Sequence, residues 1–110
     1  MENRSEKIAQ LNDAFRQAMG RVGHIYMTPG IQALPAEDRL QVFNLVKTFT
    51  DFSEGNDPYG EHAFGAFDFK GERVFWKIDY YDNDMECGSE DPADPEKTVR
   101  VMTVMMAYEY

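Results

Sequence analysis

The chain has 110 residues, is 43% hydrophobic with eight Phe, six Tyr and one Trp, and carries a net charge of −9. That length and aromatic content fit one folded domain spanning 1–110, and exclude a disordered chain or a core with a deep multi-part cleft. The single Cys87 excludes an intramolecular disulfide framework; with no apolar leader and no run near the ~18 apolar residues of a membrane span, a cytoplasmic protein with no membrane partner is expected.

Ser5 is placed to cap a first helix, and Ile8, Leu11, Phe15 and Ala18/Met19 recur at helical spacing up to a stop at Gly20. Residues 22–28 follow as a strand, with Ile25 and Met27 alternating against His24, Tyr26 and Thr28, and Pro29-Gly30 punctuating it. His24 has no acid or cysteine at ligand spacing and reads as an ordinary packed or surface histidine. A second helix is expected from Pro35, where a missing N–H is tolerated, with Glu37 and Asp38 in the dipole-favoured first turn. Two adjacent apolar rows, Leu40/Phe43/Val46 and Val42/Leu45/Phe49/Phe52, give it a wide core-facing stripe that ends at Ser53-Glu54-Gly55.

Residues 56–62 form a loop, then residues 64–69 and 74–81 read as a hairpin turned at Lys70-Gly71. Val74, Trp76, Ile78 and Tyr80 share one face of the second strand, with Phe67 and Phe69 beside them as the core face. An acidic loop occupies 82–94. Asp94-Pro95-Glu96 then has the form of a helix start. The tail, 98–110, is ambiguous by pattern. Val99, Met102 and Met106 fit a helix, whereas Thr98, Val99, Val101, Thr103 and Val104 suit a strand. Its length and the Asp-Pro start favour the helix. The expected architecture is therefore α+β in the order α-β-α-β-β-α, a three-stranded, mainly antiparallel sheet with helices mostly on one face.

Several motifs resemble an uncharacterised bacterial domain-of-unknown-function family. They are Asn56-Asp57-Pro58-Tyr59-Gly60-Glu61-His62, Lys77-Ile78-Asp79-Tyr80-Tyr81-Asp82, Asp91-Pro92-Ala93-Asp94-Pro95 and Thr98-x-Arg100-Val101-x-Thr103, with an earlier Ile8-Ala9-x-Leu11-Asn12-Asp13-Ala14-Phe15-Arg16. The resemblance implies a small, acidic, single-domain protein, often carried on plasmids or other mobile elements, and it implies no reaction. Ala63 departs from the pattern, standing where an acid is expected.

Charge supplies the leading functional expectation. Residues 51–96 carry a net −11 and the remainder +2, and eight acids with no base lie between Asp79 and Glu96. Such a cluster repels nucleic acid and attracts a basic protein surface. With no complete catalytic set, the chain is expected to be a non-catalytic interaction module needing no cofactor or metal. In its sharpest form it inhibits a nucleic-acid-binding defence complex by phosphate mimicry, as anti-CRISPR or anti-restriction proteins do. The expected binding residues are Asp57, Tyr59, Glu61, His62, Asp79, Asp82, Asp84, Glu86, Glu90 and Asp91. One alternative is a small enzyme or metal protein in which His62 works with Asp57, Glu61 or Asp79, brought near by the antiparallel hairpin. Another is an antitoxin-like partner of a basic protein. Asp82-x-Asp84-x-Glu86 imitates a calcium loop only in part: its sixth position is Cys87 and its twelfth Ala93. Cys87 among acids is disfavoured as a thiolate.

Overall fold

The computed structural model describes residues 3–18 and 24–110. Three helices, α1 (Arg4–Ala18), α2 (Pro29–Gln32) and α3 (Ala36–Lys47), accompany four strands, β1 (His24–Met27), β2 (Phe64–Phe69), β3 (Glu72–Tyr81) and β4 (Val99–Met106), and a closing 3-10 turn, Ala107–Glu109. The strands form one mixed sheet in the order β1-β4-β3-β2, with β1 parallel to β4 and the other pairs antiparallel. No helix among the described residues is long and apolar enough to cross a membrane.

The hairpin is as its sequence specifies. Lys70 and Gly71 both adopt positive φ, 49° and 83°, the pair of left-handed residues that suits the twist of a two-residue turn. The register sets Phe67 opposite Val74 and Gly65 opposite Trp76, placing both on the helix-covered face. Val74 and Trp76 are completely buried there, against Phe15, Ile31, Val42, Val46 and Phe49. All three helices thus cover the same side of the sheet.

The tail corrects the expected three-stranded sheet. Residues 99–106 are a strand, and it is the central one, hydrogen-bonded to β1 and β3. A central strand buried on both faces has no polar alternation to announce it; here it presents a mostly apolar run, broken by Arg100 and Thr103, that a helix also tolerates. Its β-branched residues were the better signal. The expected helix start at Asp94-Pro95 is instead a turn, in which the Asp94 carboxylate accepts from the Glu96 N–H.

Helix boundaries shift for identifiable reasons. Asn3, not Ser5, caps α1: its side-chain oxygen accepts from the Glu6 N–H at 2.7 Å. The expected Met19 and Gly20 at the end of this helix, and Val22 and Gly23 at the start of the first strand, lie outside the described residues. The buried side of α1 is Ile8, Ala9, Asn12, Phe15 and Arg16, so Leu11 is rotated off the core and two polar residues take a place in it. α3 stops at Lys47 instead of continuing to Phe52, and Arg16 Nη1 donates to the carbonyls of Val46 and Lys47 at 2.9 and 3.0 Å, capping that end. A cation on terminal carbonyls is also what the helix dipole favours. Leu40, expected in the core, is 70% exposed, and Leu45 is exposed as well.

Candidate functional site

α1 lies across the open end of the hairpin, where the chain enters β2 and leaves β3. The loop before β2 is held by Asp57, whose carboxylate accepts from the N–H groups of Glu61 and His62 at 3.2 Å. This fixes His62 at φ 56°, a left-handed conformation that a non-glycine residue adopts only when its surroundings impose it. The imidazole stacks flat on Phe52, 3.9 Å between centroids at 3°. Its Nδ1 meets the Asp13 carboxylate at 2.9 Å, and its Nε2 faces Asp57 at 3.8 Å. Both ring nitrogens therefore face carboxylates. Asp13 also accepts from Arg16 Nη2 at 2.9 Å, and the Arg16 guanidinium lies over the rings of Trp76 and Phe52.

A second chain of bonds runs beside the first. Asn12, wholly buried, donates through Nδ2 to the Glu61 carbonyl at 3.0 Å and to the Tyr80 hydroxyl at 2.8 Å. Its Oδ1 accepts from Arg100 Nε at 2.7 Å. The Tyr80 hydroxyl in turn donates to the Glu61 carboxylate at 3.0 Å. Burial pushes the Tyr80 phenol well above its ordinary range; the Asn12 bond works against this and the Glu61 charge with it. The phenol thus stays a neutral donor. Arg100 completes the set, donating through Nη2 to the Pro92 carbonyl at 2.6 Å with its guanidinium over the Tyr80 ring.

The expected site residues divide into three groups. Asp57, Glu61 and His62 do come together, joined by Asp13. Asp79 does not join them: pleat alternation puts it on the opposite sheet face, where Lys77 Nζ lies 2.9 Å from its carboxylate. The hydrogen bond to Asp79 raises the Lys77 ammonium above its usual range. The hairpin geometry that suggested a partner for His62 holds, but the residue it delivers to that end is Tyr80. Tyr59 is 78% exposed and takes no part.

The remaining acids lie on the loop between β3 and β4. Asp82 accepts from the Glu86 N–H at 3.1 Å, and Asp91 accepts from Arg4 at 3.2 Å and from the Ala93 N–H. Both carboxylates hold the loop together. Burial works to raise the Asp91 carboxyl, but the Ala93 and Arg4 bonds carry it below its usual range. Asp84, Glu86 and Glu90 are exposed; Glu90 has Lys97 at 3.4 Å. Asp82, Asp84 and Glu90 line one surface concavity of about 370 Å³. Among the described residues, no group of three or more His, Cys, Asp or Glu is arranged to hold a metal ion.

Sequence reasoning missed Asn12, Asp13, Arg16, Tyr80 and Arg100 as parts of this network. The available signal was phase: Asn12 and Arg16 follow Ile8 at four-residue steps, so they share its buried side.

Fold and site together define a small α+β domain whose internal polar network locks one helix to the base of a hairpin. Residues 27–109 match the family described as "Protein of unknown function (DUF3768)". The chain belongs to that family. No curated protein and no solved structure matches it.

Proposed function

We propose that this protein is a non-catalytic interaction module that binds a basic protein surface through the acidic loop between β3 and β4. Its sharpest form is occupation of a nucleic-acid channel in a host defence complex, anti-CRISPR or anti-restriction in type, with carboxylates placed where phosphates would lie. One observation carries this reading: Asp84, Glu86 and Glu90 stand exposed on a loop that Asp82 and Asp91 hold in shape. A charged surface on an ordered loop loses little conformational entropy on binding. The carboxylates around His62 support the same reading from the other side. They are spent on main-chain N–H groups, Arg16 and Tyr80, which is a structural arrangement.

Capture of partners from the native host, at low and high salt, tests this directly. A partner should be retained at low salt and lost steeply as salt rises. The triple reversal Asp84→Lys, Glu86→Lys and Glu90→Lys should abolish capture without unfolding the protein, because none of these carboxylates supports the loop's main chain. Capture indifferent to both salt and charge reversal would sink the proposal. A captured small basic toxin, in place of a nucleic-acid-binding complex, would select the antitoxin-like alternative.

A further inference from the structure

Arg100 is 7% exposed, yet among the described residues no carboxylate lies within ion-pair distance of its guanidinium. Its partners are neutral: the Asn12 amide oxygen and the Pro92 carbonyl. The neighbouring acids are committed elsewhere, Glu61 to the Tyr80 hydroxyl and Asp91 to Arg4. The Glu61 carboxylate acts on Arg100 only through space, beyond direct contact, and folded proteins normally give a buried cation a direct ionic partner. Nη1 makes no hydrogen bond to a described residue.

Arg100 also lines a groove of about 290 Å³ between α1 and the start of β4. Leu11, Ala14 and Phe15 form one wall and Pro95, Thr98 and Val99 the other, the Thr98 hydroxyl being bonded to the Asp91 carbonyl. Leu11, off the buried side of α1, lines this groove. Its size lies just below the ~300–1,000 Å³ range of ligand sites, and mostly apolar walls with one convergent charged group are the usual composition of such sites.

We propose that this groove binds a small apolar monocarboxylate, with the carboxylate at Arg100 and the hydrocarbon along Leu11, Ala14, Phe15, Pro95 and Val99. Charge complementarity selects the class. A hydrocarbon alone would leave the guanidinium unpaired, a polyanion would be repelled by the acidic chain around it, and a guanidinium's parallel N–H groups match a carboxylate.

Titration calorimetry of the full chain with sodium octanoate, and separately with octan-1-ol, tests the assignment. Octanoate should bind saturably and at least about tenfold more tightly than the alcohol of the same length. Ala14→Trp, a change at an exposed position that fills the groove, should abolish octanoate binding, and Arg100→Met should remove the preference for the acid. No saturable octanoate binding, equal affinity for the alcohol, or an Ala14→Trp protein that binds as the wild type would each overturn the proposal. Because the alcohol comparison and Ala14→Trp leave Arg100 in place, they decide the matter even if Arg100→Met fails to fold.

Discussion

At the residue scale, the demands of the fold concentrate where side chains replace one another in tight space. Gly65 lies directly under the Trp76 indole, so a Cβ there would run into the ring at its Nε1 edge. The ring cannot yield, because Phe49 and Phe52 abut it edge-on and Arg16 lies over it. Gly65→Ala is expected to cost about 1–3 kcal/mol, the usual range for overpacking a filled core, in urea-induced unfolding. Gly71→Ala fails differently. It has open space but a φ of 83°, so about 1 kcal/mol is expected from backbone conformation alone. The turn glycine is legible from sequence as Lys-Gly between aromatic runs. The need for glycine at 65 is not, since it depends on which ring faces it across the register.

At the element scale, β4 is the chain's mechanical centre. Met102 is completely buried, whereas Leu40 on α3 is 70% exposed. Met102→Ala should therefore lose about 2–5 kcal/mol and Leu40→Ala no more than about 0.5 kcal/mol, although the helical pattern gives Leu40 an equal claim on the core. The turn after β4 makes its own contribution. The Glu109 carboxylate accepts from the Thr28 hydroxyl at 2.6 Å and from the N–H groups of Gly30 and Met106 at 2.9 and 3.0 Å, tying β4 to α2. Burial acts to raise its carboxyl, but these three donors outweigh it and hold the folded value below the ordinary one. A lowered carboxyl stabilises fully above the unfolded value of about 4.3 and loses that contribution as pH falls through the folded value. The stability difference between wild type and Glu109→Gln should accordingly hold from neutrality down to about pH 4.3 and shrink as the medium is acidified further. Unfolding midpoints measured across that series check it.

At the scale of the whole molecule, α1 is joined to the sheet by polar bonds as much as by apolar contact. Asn12 alone bonds to the loop before β2, to β3 and to β4. Asn12→Ala strands several buried polar groups at once and should cost about 2–3 kcal/mol. Since Tyr80 shares that network, a double-mutant cycle of Asn12→Ala with Tyr80→Phe should show a coupling of about 0.5–3 kcal/mol, whereas independent sites would add. The acidic loop lies at the same end of the molecule, linked to α1 by the Arg4–Asp91 pair. That pair is exposed and contributes little to stability.

By itself the sequence determined the elements whose signals are local. The hairpin with its turn, the first and third helices, the aromatic core face and the acidic loop all follow from periodicity, turn chemistry and charge, which act between residues close along the chain. Tertiary structure alone decided that the tail is the central strand, that Leu40 is outside, and which partners meet Asn12, Arg16 and Tyr80. Each of these depends on partners distant in the chain. A strand covered on both faces loses its alternation, and a buried polar residue is stable only where another segment supplies its hydrogen bonds.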